Sequence, residues 1–186
     1  MIKSISIFSL LGLLMSFTFQ KTATKYFTRD GVITFYSDAP LEKISGVNNQ
    51  VNSLINDSSG AIEFTVLVKG FEFQKALMQE HFNENYMESD KYPKAIFKGT
   101  ITNKETVKWT VDGEYPVTIA GKMTLHGVTK DLTAKGKILV SKGEVSSTST
   151  FNILISDYGI SIPSVVKDKV SNSVKIEVAA TYKPFK

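Results

Sequence analysis

The stretch Met123-Thr124-Leu125-His126-Gly127-Val128-Thr129-Lys130-Asp131-Leu132 (MTLHGVTKDL) carries the reading of the fold. Upstream of its histidine, Val117, Ile119, Gly121, Met123 and Leu125 alternate with Thr118, Ala120, Lys122, Thr124 and His126. Downstream, Leu132, Ala134, Gly136, Ile138 and Val140 alternate with Asp131, Thr133, Lys135 and Lys137. A period of two puts every second side chain on one face, the mark of a half-buried strand. The linking HGVTK predicts a hairpin connection, with Gly127 as its flexible point. The histidine therefore sits at a strand end, opposite the apolar face.

The same alternation recurs along the chain. It predicts strands over 31–37 after an Asp30-Gly31 turn signal, 61–73, 94–102, 106–113, 116–125, 132–140, 143–156 and 173–183. In the last of these, Val174, Ile176, Val178, Ala180 and Tyr182 share a face. About eight short strands at this spacing point to an antiparallel sandwich or barrel. One segment differs. Gln74 to Met87 holds good helix formers without Gly or Pro, and Met78, Phe82 and Tyr86 recur every fourth residue. Pro93 disfavours helix at Tyr92. The expectation is a mainly β fold with one inserted helix. The small residues Gly121, Ala134 and Gly136 on an apolar face favour an open interior over a filled one.

Composition narrows the function. The chain has 186 residues, 42% hydrophobic and 22% charged, enough for one domain with a real core. Residues 1–22 have Lys3 followed by an apolar run, the layout of a secretory signal peptide; 23–186 would be the mature domain. That layout points to a bacterial periplasm or secretion. No second hydrophobic segment follows, so no integral membrane span is expected in the mature chain. Cysteine is absent, which removes disulfides, thiol nucleophiles, thiolate metal sites and a lipoprotein anchor. The net charge is +4, but the only arginine is Arg29 and the lysines are scattered among acids, so no nucleic-acid partner is expected.

Candidate chemistry is sparse. His126 lacks a G-x-S-x-G nucleophile nearby, and reads as a turn-adjacent histidine bonding local backbone or as a base or metal ligand. His81 stands near Glu84 on the predicted helix, either a weak metal pair or part of a solvated acidic face, without an H-E-x-x-H pattern. Phosphate-binding glycine loops are missing. No catalytic residue, metal or cofactor is assigned. Phe71, Phe73, Phe82, Tyr86, Tyr92, Phe97 and Trp109 gather around the helix and its flanking strands, as ordinary core or as one end of an apolar ligand cavity.

Two motifs resemble a known family. HFNENYMESDKYPKAIFKGTI (81–101), with Tyr92-Pro93 and Phe97, looks like the central signature of the YceI-like family. GKMTLHGVTKDLTAKGKI (121–138) is similar to that family's hairpin, through Gly121, Thr124, Leu125, Gly127, Val128, Thr129 and Lys130. The resemblance runs from about Tyr26 to Tyr182. Gly46 corresponds to the glycine of the family's usual early motif, whose histidine is absent here. The resemblance implies an extended eight-stranded antiparallel lipocalin-like barrel with a helix near one end. It implies a cavity for a polyisoprenoid, isoprenoid quinone or fatty-acid derivative, and so a periplasmic carrier, not an enzyme. The expected apolar lining is Phe64, Val66, Phe97, Trp109, Val117, Ile119, Met123 and Ile138, with Lys91 and Lys94 as candidates for an anionic head group. The alternatives are a non-binding envelope or stress-related barrel, and a hydrolase-type enzyme using His126 or His81. A homodimer stays open.

Overall fold

The computed structural model describes residues 23–185; the expected signal segment 1–22 lies outside them. The chain folds into β1 (Lys25–Asp38), β2 (Lys43–Asn56), β3 (Ala61–Leu67), α1 (Ala76–His81), β4 (Lys94–Ile101), β5 (Gly113–Leu125), β6 (Val128–Ser141), β7 (Glu144–Leu154) and β8 (Ser173–Phe185). A single π-helical turn, Phe82–Tyr86, continues α1. Each strand pairs antiparallel with the next, and β8 closes on β1, giving a closed eight-stranded antiparallel barrel. Closure removes both free sheet edges.

The MTLHGVTKDL stretch forms the β5–β6 hairpin. Leu125 pairs with Val128, leaving a two-residue loop of His126 and Gly127 with φ of 49° and 75°. Positive φ at both positions is what a type I′ turn needs, and its twist matches the flanking strands. Histidine is one of the few non-glycine residues that enter this region readily. At Gly127 a Cβ would also meet the Tyr92 ring at 2.6 Å. Thus Tyr92 and Gly127, one from each sequence motif, pack directly on each other.

Three other glycines answer to backbone approach, not to an open interior. Gly99 and Gly121 face each other across β4 and β5, and a Cβ on Gly121 would meet the Lys98 carbonyl oxygen at 2.3 Å. A Cβ on Gly136 would meet the Thr148 carbonyl at 2.7 Å. Of the three small residues, Ala134 alone lines a cavity.

Three strand expectations need correction. Of residues 106–113 only Gly113 is in a strand, as the start of β5; Val107 and Trp109 alternate because the loop lays both side chains into the barrel end. The strand expected over 61–73 stops at Leu67, where a 3₁₀ turn at Val68–Gly70 bends the chain. Asn48 fixes that bend, its Nδ2 donating to the Leu67 carbonyl at 2.9 Å, and Glu72 then bridges to Val47. Asp30-Gly31 is no turn but an irregularity inside β1, where the register with β2 shifts. The expected total of eight survives because β2, unread in the sequence, replaces 106–113. Its buried residues switch phase, Gly46 and Asn48 giving way to Val51, Ser53 and Ile55 across the shift, which hides the alternation.

Candidate functional site

Antiparallel order sorts the connections into two ends. Links 57–60, 102–112 and 142–143 lie at one end; 39–42, 68–93, 126–127 and 155–172 lie at the other. The first end is filled. Trp109, 7% exposed, stacks on Tyr26 with ring centroids 5.4 Å apart, above a buried cluster that includes Ile55, Val140 and Tyr182. The second end is hollow.

An inner cavity of about 140 Å³ lies in the barrel, its walls almost wholly apolar. Ile62, Ile119 and Ile138 form its floor, since they belong to the filled core as well. Beyond it a vestibule of about 470 Å³ sits under α1 and the 155–172 connection. Phe71, Leu125, Ile153 and Ile176 line both spaces, so the two share a wall. The vestibule alone is of the size that binds small molecules, and the pair extends along the barrel.

Four phenylalanines stand at that junction. Phe82 stacks on Phe35 at 5.4 Å and contacts Phe73 at 5.0 Å and Phe71 at 5.6 Å. Phe35 also meets Phe71 at 5.4 Å and Phe73 at 5.6 Å, edge-on. Such offset and edge contacts stabilise aromatic clusters beyond area burial. Gly46 makes room for them: a Cβ there would meet Phe35 at 2.6 Å and Phe73 at 3.1 Å. The glycine singled out in the early motif therefore has a packing reason.

Beside the inner cavity is one polar group of note. The Tyr182 hydroxyl lies 3.0 Å from both Ser53 and Ser147 Oγ, and Ser53 donates to the Glu63 carbonyl at 3.0 Å. Burial pushes the Tyr182 phenol above its ordinary range, with the two serine hydrogen bonds working against the shift. Ser147 also lines the cavity, so this network borders it.

The expected site residues separate by position. Phe64, Val66, Phe97, Ile119, Met123 and Ile138 line the inner cavity. Phe64 pairs with Phe97, and Phe97 with Met123, so three neighbouring strands hold them side by side. Trp109 and Val117 lie in the filled core at the opposite end. Lys91 and Lys94 are exposed and outside both linings; Lys91 rests over the Tyr92 ring at 4.8 Å. Lys75 and Lys169 line the vestibule instead, and neither forms an ion pair among the described residues. Sequence reading missed them because both belong to connections whose path only the fold sets.

The two histidines have structural partners. His126 Nδ1 lies 3.1 Å from the Tyr158 carbonyl oxygen and Nε2 lies 2.8 Å from Glu88 Oε2. Its ring packs edge-on against Tyr92 at 4.6 Å. It thus ties the hairpin to the segment after the helix and to the 155–172 connection. His81 meets Asn85, not Glu84, at 3.1 Å. Among the described residues no three metal-binding side chains cluster, and no helix is long and apolar enough to cross a membrane.

A closed antiparallel barrel, filled at one end and hollow with apolar walls at the other, defines a container-type β protein. The sequence profile of the YceI-like domain matches residues 15–182, and the chain belongs to that family. No functionally curated protein matches the sequence. Solved structures share the fold. A polyisoprenoid binding domain from Saccharophagus degradans, implicated in plant cell wall breakdown, aligns with TM-score 0.76 at 11% identity, over 88% of this chain and 100% of that one. BcnA of Burkholderia cenocepacia aligns at 0.64 and 12%, over 82% and 96%. The Campylobacter jejuni YCEI protein aligns at 0.57 and 14%, over 100% and 99%.

Proposed function

We propose that this protein binds a long apolar amphiphile in the barrel and carries it through the periplasm. The ligand class is a polyisoprenoid, an isoprenoid quinone or a fatty-acid derivative. The observation that carries this reading is the apolar inner cavity meeting a larger vestibule at the open end. Each methylene buried there contributes about 0.8 kcal/mol, so chain length sets most of the affinity. The domain from Saccharophagus degradans, with the same fold, supports the ligand class. The apolar run in residues 1–22 supports export. A binding role, not catalysis, accords with His126 engaged by Glu88 and Tyr158 at the rim.

The test is purification without detergent, native mass spectrometry, and titration with a fluorescent farnesyl analogue. The expected result is a copurifying amphiphile and saturable uptake of the analogue. Ala134→Phe places a ring in the inner cavity and should weaken uptake at least about tenfold. Ile176→Phe, at the shared wall, gives a second obstruction should the first disturb folding. No copurifying amphiphile together with no saturable uptake by the wild type would sink the proposal.

A further inference from the structure

The three most exposed large apolar side chains among the described residues are Val165 at 87%, Leu41 at 71% and Leu77 at 60%; Phe185 at 56% and Val111 at 51% come next, at the filled end. The first three surround the vestibule. Leu77 lines it, and so do Glu42 and Val166, the chain neighbours of Leu41 and Val165. The loops of Leu41 and Val165 are joined, since the Leu41 amide donates to the Asp168 carbonyl at 2.9 Å. Leu139, on the barrel wall, is 45% exposed.

Each tip has a lysine two residues away: Lys43 beside Leu41, Lys75 beside Leu77, and Lys167 beside Val165. Lys169 follows on the last loop. None of these four forms an ion pair among the described residues. The connections at this end carry five lysines (Lys69, Lys75, Lys91, Lys167, Lys169) against eight acids (Glu42, Glu72, Glu80, Glu84, Glu88, Asp90, Asp157, Asp168), a net charge of −3, so no overall positive field draws this end to lipid. The lysines act by position instead. A long stem beside an apolar tip lets the ammonium reach lipid phosphates while the tip enters the acyl boundary.

We infer that the open end docks on a phospholipid surface, with Leu41, Leu77 and Val165 inserted and Lys43, Lys75 and Lys167 at the phosphate level. The tips stand apart on two loops and a helix around a hollow mouth. A self-complementary protein interface needs a packed apolar centre, and here the centre is the vestibule. Docking in this pose aims the vestibule at the bilayer, so an amphiphile passes between membrane and barrel with its chain shielded. The delivery role rests on the carrier reading above; the docking itself rests on the rim.

Flotation with vesicles of phosphatidylcholine and phosphatidylglycerol in equal parts tests it. The wild type should float with the vesicles. The combined variant Leu41→Ser, Leu77→Ser, Val165→Ser should lose at least about tenfold in partitioning. The variant Val111→Ser, Phe185→Ser, at the filled end, should float like the wild type. Lys43→Glu, Lys75→Glu, Lys167→Glu should lose about tenfold on these vesicles and less on pure phosphatidylcholine. A wild type that stays in the aqueous layer overturns the inference, as does a triple serine variant that still floats. Lipid-independent self-association abolished by the same serine changes also overturns it and makes the rim an interface between copies. Farnesyl-analogue uptake in solution separates the two readings: uptake without flotation leaves the carrier reading standing alone, and flotation without uptake leaves docking alone.

Discussion

The two ends of the barrel are made from the same strands but solve opposite problems. At the filled end the connections are a short turn, a short hairpin and one loop that lays Trp109 across the interior, where it stacks on Tyr26. At the hollow end, helix α1 and the 155–172 connection bridge a space that no side chain fills. In a packed core each contact is shared by many neighbours, so truncation leaves a void and a large loss. Around an existing cavity the wall already lacks partners on one side, and the same truncation costs less. The difference assigns stability to the first end and openness to the second, which is where the proposed carrier would exchange its contents.

The comparison breaks most readily at Trp109. Trp109→Ala should destabilise the fold by about 3–5 kcal/mol in urea titration, with farnesyl-analogue uptake retained while the barrel stays folded. Phe82→Ala is the matched change at the hollow end. Phe82 is half-buried between the helix and three other rings, so the expected loss is about 2 kcal/mol, with faster release of the analogue in stopped-flow measurement. Equal destabilisation by the two would mean that the ends do not differ in the way proposed.

Tyr182 sharpens the comparison through pH. An unperturbed tyrosine ionises near about pH 10. Burial raises the Tyr182 phenol above that value, so the folded state holds the proton more tightly than the unfolded chain. Its contribution is complete below the unfolded value and is lost as pH rises through the raised folded one. Tyr182→Phe should cost about 1 kcal/mol at neutral pH and give a shallower decline of urea midpoints in alkali. Some slope remains, because burial also raises Tyr26 and Tyr158. The smallest effect belongs to the rim: His126→Asn keeps a residue suited to positive φ but loses the contacts to Glu88 and Tyr158. About 1 kcal/mol or less is expected, with increased amide exchange confined to the hairpin and the 155–172 connection.

Much of the wall was legible because the alternation is local. The faces assigned to β5, β6 and β8 hold in the fold, and Phe64, Phe97 and Met123 meet where β3, β4 and β5 run side by side. Trp109 was misplaced for an equally local reason. Its segment alternates like a strand, yet pairs with nothing, because the two buried side chains follow a loop around the barrel end. β2 escaped notice because its buried positions include Asn48 and Ser53, each satisfied by a hydrogen bond to a distant carbonyl. A buried polar residue reads as surface until its partner is known.

His126 marks the boundary between the two kinds of information. The sequence alone determined that MTLHGVTKDL is a hairpin, that Gly127 turns it, and that its apolar residues share a face. Those follow from side-chain period and from which residues tolerate positive φ, both properties of neighbouring residues. Only the tertiary structure decided that Tyr92 packs on Gly127 and that His126 reaches Glu88 and Tyr158. It alone decided which end of the barrel is filled and that Lys75 and Lys169, not Lys91 and Lys94, stand at the mouth. These depend on closure of β8 on β1 and on the paths of long connections, contacts between residues far apart in the chain that no local pattern encodes.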